Sequence, residues 1–231
     1  GNWKIHTIDS GCGTYYIYTH KEIRLFTYSD QKHILFLIGH AYNPFRMQTD
    51  ETEILKALSS ALKDGIKAFW EAESELTGVF CIGYITSREV VFSTDCAGMQ
   101  LVYHGTVNGK LFVTSHSKLV ADLKDLRQSR YVQRLISSRF WHYWGTWLPG
   151  DLSPFPELRR MQPNCAGVYT EKKGEINVKR YYPFREIKET DTEEEYQITI
   201  RELGEIMSNT MQCIADKWPD KKISVSVTGG R

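Results

Sequence analysis

The sequence lacks any long hydrophobic run: no apolar stretch approaches the ~20 residues of a bilayer span, and the opening G-N-W-K-I-H has no signal-peptide core. No membrane partner is expected. Charge of one sign is lacking too. The net charge is +1, with one quarter of the residues charged and the signs well mixed, so no basic face for nucleic acid is expected. Cysteine is sparse. The five cysteines are odd in number, widely spaced and free of C-x-x-C pairs, which argues against a disulfide framework and for a reducing, cytoplasmic setting. The seven histidines show no H-E-x-x-H or paired spacing, so no metal site is expected.

What is present is enough apolar material, 41% of 231 residues, for a sizeable core. Residues 3–8, 14–19, 22–28 and 33–40 read as successive strands of a meander, punctuated by Gly, Asp and Ser. Asp50 and Glu53 form a capping-box pattern, and Ile54, Leu55, Leu58, Ala61 and Leu62 then share one helical face up to Gly65. Residues 79–85 are apolar at nearly every position, as in a strand covered on both faces, with Cys81 a core thiol. Short strands follow, joined by a turn that Asp95 stabilises and by Asn108-Gly109, a type I′ hairpin signal. Ser115 or Ser117 is expected to cap the next helix. Residues 128–144 predict one further helix whose aromatics, Phe140, Trp141, Tyr143 and Trp144, belong in the core.

After a Pro-rich segment and a hairpin turning at Lys173-Gly174, the composition becomes polar near residue 185, where a domain boundary is expected. Thr192 and Glu195 then cap a long helix stepping through Tyr196, Ile200, Leu203, Met207, Met211, Ile214 and Trp218. The sequence closes on I-S-V-S-V-T-G-G-R, residues 223–231, an alternating strand running into a glycine turn. Helix, strand and glycine turn together open a doubly wound domain, so the sequence is expected to be truncated.

Several ordered motifs resemble the asparagine synthetase family. L-T-G-V-F-C-I-G-Y-I and S-T-D-C-A-G-M-Q-L-V-Y are similar to that family's L-D-G-M-F-A-F-A and A-R-D-R-x-G-x-x-P-L-Y. W-L-P-G with F-P-E-L-R-R-M-Q-P-N-C-A-G-V-Y resembles P-G…I-x-x-L-P-P-G-x-x-L, and Arg180-Tyr181-Tyr182 resembles R-Y-W. Val227-Thr228-Gly229-Gly230-Arg231 is similar to the S-G-G-x-D-S phosphate loop, cut before its Asp and second Ser.

The resemblance implies an α+β fold: a four-layer αββα Ntn-hydrolase-like sandwich over residues 1–185, then residues 186–231 as the first helix and strand of a PP-loop ATP-pyrophosphatase domain. It implies the N-terminal part of an ATP-dependent, amide-forming ligase acting through an acyl-adenylate, with AMP and pyrophosphate as products. ATP and Mg2+ are expected for the full-length protein and neither bound to these residues alone. Ser226, Thr228, Gly229 and Gly230 would cradle the pyrophosphate. The expected partner is a small-molecule or peptide carboxylate substrate, and a homodimer is consistent with the family.

The family's glutaminase attacks the glutamine amide with an N-terminal cysteine whose α-amino group is the base. Residue 1 here is Gly, and no H-R-G-P-D segment precedes residue 40. L-I-G-H-A-Y-N stands where the family has N-G-E-I-Y-N, leaving Gly39 as an oxyanion N–H, His40 in place of an acid, and Asn43. The acid that would grip the substrate ammonium corresponds to Glu51. The glutaminase half is therefore expected to be inactive. One rival reading is a non-catalytic scaffold in an enzyme like the β-lactam synthetases or lasso-peptide cyclases. Another is a glutaminase activated by processing at Cys12, whose Cys12-Gly13 imitates the family's C-G-I-F-G start.

Overall fold

The computed structural model describes residues 2–11, 13–144, 147–184, 186, 189–222 and 224. The chain runs β1 (Trp3–Asp9), β2 (Thr14–His20), β3 (Leu25–Ser29), β4 (Ile34–Tyr42), α1 (Glu51–Lys63), α2 (Ile66–Glu73), β5 (Thr77–Ile85) and β6 (Glu89–Thr94). It continues through β7 (Tyr103–Val107), β8 (Lys110–Thr114), α3 (Ser117–Lys124), α4 (Arg130–Ile136), α5 (Arg139–Trp144), β9 (Arg159–Arg160), β10 (Cys165–Thr170), β11 (Glu175–Arg180) and α6 (Glu193–Lys217).

At the centre lies a six-stranded sheet in the order β11-β10-β6-β5-β4-β3, antiparallel throughout. Strand alternation gives it two apolar faces. Leu35 and Leu37 of β4, with Phe80, Ile82 and Tyr84 of β5, pack under Ile54, Leu55 and Leu58 of α1 and Phe69 of α2. Phe36, Cys81, Ile85 and Phe92 face the other way, against Ile8, Tyr15 and Ile17 of the β1-β2 ribbon and against Val102, Leu111 and Met161. Those last residues belong to or flank the three-stranded sheet β8-β7-β9. Val120 and Ala121 of α3 pack with Val107, Phe112, Phe155 and Leu158 beyond it. The fold is thus mixed α/β with antiparallel sheets, stacked helix, sheet, sheet, helix.

Several local expectations meet the structure. Asn108 and Gly109 both take positive φ between β7 and β8, as a type I′ turn requires. Thr192 and Glu195 close the capping box of α6. Asp95 is buried and accepts the N–H groups of Ala97, Met99 and Gln100.

Other expectations are corrected. The first four strands do not form one meander: β1 and β2 pair only with each other, while β3 and β4 join the central sheet, because the two hairpins bury apolar residues from opposite sides of the second core. Asp50 caps α1 through the N–H groups of Thr52 and Glu53, but the Glu53 carboxylate turns to Lys56 at 2.6 Å, so the box is one-sided. His116, not a serine, stands at the N-cap of α3, without a side-chain cap bond. The helix over 128–144 is broken into α4 and α5 at Ser137-Ser138, where the Ser138 hydroxyl competes for the Leu135 carbonyl. Its Phe140 and Tyr143 are exposed rather than core.

Candidate functional site

The site grows from the C-terminal end of β4. Gly39 there has φ +111°, and a Cβ would lie 2.2 Å from the Val79 carbonyl oxygen, so only glycine fits. Its N–H donates to the Arg24 carbonyl at 3.2 Å. The amide considered as an oxyanion donor is engaged within the sheet. Next along the strand, His40 reaches Glu51, the first residue of α1, with Nδ1 3.2 Å from Oε1. The Glu51 side chain is only 5% exposed. A carboxylate placed in the first turn of a helix also meets the favourable end of the helix dipole.

Two of the sequence-predicted residues are thus brought together, and a third is turned away. Asn43 is buried, but its Oδ1 accepts the N–H groups of Phe45 and Arg46, and its Nδ2 donates to Glu75 at 3.0 Å. It holds the 43–48 turn. Cys12, Ser226, Thr228, Gly229 and Gly230 lie outside the described residues.

The residues that sequence reasoning missed come from the far end of α6. Lys217 Nζ donates to Glu51 Oε1 and, at 2.7 Å, to the Thr49 carbonyl. It also lies 5.0 Å from the centroid of the Tyr42 ring, over its face. Trp218 donates its Nε1–H to the Tyr42 hydroxyl at 3.2 Å and meets the His40 ring edge to face at 5.3 Å. Asn209 Nδ2 donates to the Pro44 carbonyl at 3.0 Å, and Cys213 is fully buried alongside. Burial raises the Tyr42 hydroxyl above its ordinary range against the Trp218 bond, with the charge of Glu51 adding to the rise. The only available sequence signal was Trp218 at the end of the α6 apolar stripe, and nothing in the pattern said where that end would dock.

A second polar cluster is enclosed in the core. Glu73, at the end of α2, accepts from the Ser93 hydroxyl at 2.6 Å and the Tyr181 hydroxyl at 3.3 Å, while its Oε2 has no partner among the described residues. Burial raises its carboxyl to about 7, in spite of those two bonds.

No described cysteine is poised as a nucleophile. Burial pushes the thiols of Cys81, Cys96, Cys165 and Cys213 upward, that of Cys81 to about 12. Among the described residues, no group of three His, Cys, Asp or Glu side chains could hold a metal ion, and no helix is long and apolar enough to cross a membrane.

No family model matches the chain, and no curated protein does. Among solved structures the chain is similar to the allosteric regulatory enzyme of purine biosynthesis, at 16% identity and TM-score 0.45, over 71% of this chain and 32% of that one. It is also similar to glutamine phosphoribosylpyrophosphate amidotransferase from B. subtilis complexed with ADP and GMP, at 14% identity and TM-score 0.39, over 69% and 31%. The chain therefore spans about a third of the length of those structures. Likeness at that level assigns neither family nor activity.

Proposed function

We propose that this chain is the N-terminal part of an asparagine-synthetase-like, ATP-dependent amide-forming ligase, and that its layered Ntn-type domain is a scaffold rather than a glutaminase. The observation that carries the scaffold reading is the lysine in the pocket remnant. Glu51, the acid left to receive a substrate ammonium, is already bound by Lys217, and Trp218 stands against His40. The Gly39 N–H is bonded to the Arg24 carbonyl, and desolvation shifts the thiols of the described cysteines upward. A glutaminase needs an open pocket, a free oxyanion donor and an activated nucleophile.

The ligase reading is supported by the order of the motifs from residue 76 to residue 231. In that reading a carboxylate is activated as its acyl-adenylate with loss of pyrophosphate, and an amine then displaces AMP. ATP would be held through Ser226, Thr228, Gly229 and Gly230, with Mg2+ neutralising phosphate charge. The role of α6 is to seat such a domain on the sandwich at a fixed point, through Asn209, Lys217 and Trp218.

Two assays test the two halves. Incubated with L-glutamine, the chain is expected to release no ammonia above buffer; glutamine-dependent ammonia would overturn the scaffold reading and restore a processed Cys12. A protein carrying this chain together with a synthetase domain is expected to release pyrophosphate and AMP only when a carboxylate acceptor is supplied. Absence of that release across amino acids and peptides would overturn the ligase reading.

A further inference from the structure

The charge balance that argues against a membrane partner is a whole-chain average, and it conceals one uneven segment. From residue 126 to residue 150 there is no Asp or Glu, while Arg127, Arg130, Arg134 and Arg139 all fall within it. Four positive charges exceed the net +1 of the chain, so the rest of the sequence is net acidic. The structure places these arginines on α4, on α5 and just before α4, and all four are exposed. Among the described residues none of them forms an ion pair, whereas Arg46 and Arg159 elsewhere each face a carboxylate. Guanidinium groups gathered without a counter-charge repel one another, and a bound anion relieves that repulsion.

The same two helices carry exposed aromatic rings. α4 docks through the buried Val132, which turns Arg130 and Arg134, one turn apart, toward solvent. Tyr131, Phe140, Tyr143 and Trp147 are strongly exposed as well, Tyr143 at 77%. Rings of this size are ordinarily drawn into a core or an interface. Where α4 breaks into α5, Ser137, Arg139, His142 and Tyr143 line a notch of about 260 Å³. Two hydroxyls, an imidazole and a guanidinium supply O–H and N–H donors with no carboxylate among them, which suits a single phosphate group.

We propose that α4 and α5 form a peripheral docking surface for an anionic phospholipid membrane. One lipid phosphate sits in the notch, the arginines lie over neighbouring headgroups, and Phe140, Tyr143 and Trp147 reach the boundary with the acyl chains. Cations beside amphipathic rings are the makeup of interfacial elements, because the rings settle at headgroup level while the cations meet the anionic surface. A nucleic-acid strand calls for a groove that tracks successive phosphates, and the notch is sized for one. The contact is peripheral, since among the described residues no helix is long and apolar enough to cross a bilayer. It is independent of both the ligase and the scaffold readings.

Vesicle flotation tests the proposal on the unaltered chain. At about 0.1 M salt the chain is expected to float with phosphatidylcholine vesicles containing about 30% phosphatidylserine, and at least about tenfold less with phosphatidylcholine alone. Each arginine near an anionic surface is worth about fivefold in partitioning, so the triple variant Arg130→Gln, Arg134→Gln, Arg139→Gln is expected to lower it about a hundredfold. Those side chains are exposed and unpaired, so the variant is expected to melt at the temperature of the unaltered chain. Phe140→Ala with Trp147→Ala is expected to weaken flotation about tenfold through lost apolar burial.

No flotation with either vesicle, equal flotation with both, or flotation undiminished in the arginine variant would overturn the proposal. A single-stranded oligonucleotide at equal phosphate concentration is expected to leave the chain on the vesicles. Displacement would assign the surface to nucleic acid and overturn it as well. None of these readouts moves with ammonia or pyrophosphate release, so failure here is distinguishable from failure of the proposed function.

Discussion

Two buried carboxylates, at opposite depths of one sandwich, are satisfied in opposite ways. Glu51 and Glu73 are 4% and 3% exposed. Glu51 lies where three elements meet, β4, the start of α1 and the end of α6, and is bound by a lysine and a histidine. Glu73 lies among neutral hydroxyls, with one oxygen left without a partner among the described residues, and burial raises its carboxyl to about 7. Water removed from a carboxylate must be replaced by positive charge or by a proton. The interface acid has the first; at the core acid, burial favours the second up to about pH 7. Such a difference separates a group placed for joining elements from one that merely fills a core.

The largest effect that would break this contrast is removal of the lysine. Lys217→Met leaves Glu51 buried without its cation and is expected to destabilise the chain by about 3 kcal/mol, the lower end of the range for a broken buried pair, in urea unfolding. Combined with Glu51→Gln, the loss is expected to be smaller than the sum of the two single losses, because the double variant leaves no buried charge unpaired. Additive losses would show that the contact is incidental.

The next effect concerns pH. Glu73 has a folded pKa raised from near 4.5 to about 7, so the folded state binds the proton more tightly. Its favourable contribution is complete below pH 4.5 and is lost as pH rises through 7. Relative to the parent, Glu73→Gln is expected to gain about 2–3 kcal/mol between pH 4.5 and pH 8, since the amide cannot ionise. A pH-independent difference between the two proteins would mean that Glu73 is not a neutral acid in the core.

The smallest effect sharpens the contrast at the interface. Trp218→Phe keeps the ring against His40 but removes the bond to the Tyr42 hydroxyl, and is expected to cost about 1 kcal/mol. Hydrogen exchange is expected to rise at the end of α6 and to stay unchanged around Glu73.

The legible parts of the fold are those written within a few residues. Asp50, Asn108-Gly109 and the Thr192/Glu195 box act across a single turn, so their chemistry can be read directly. The 128–144 segment patterns as one helix because its aromatic spacing matches a buried face, while the serine pair that breaks it carries no weight in the periodicity. The α6 stripe has the spacing of an apolar face, yet Tyr196, Ile200, Leu203 and Met207 are exposed, and among the described residues only the end near Cys213 is covered. Periodicity tells which face is apolar, not whether a neighbour exists to cover it.

The candidate site divides along the same line. His40 and Glu51 are nominated only through the family resemblance, which aligns L-I-G-H-A-Y-N with a pocket segment and Glu51 with the neighbouring acid. Lys217 and Trp218 could not be nominated, since their partners Glu51 and Tyr42 are 166 and 176 positions away. The sequence by itself determined the Asp50 and Thr192 caps and the Asn108-Gly109 turn, because those depend on backbone sterics and bonds over three or four residues. Only the tertiary structure decided that Lys217 reaches Glu51 and that Trp218 reaches Tyr42. Bringing an ammonium to a buried carboxylate depends on how the sheet, α1 and α6 pack together, and no local pattern encodes that distance.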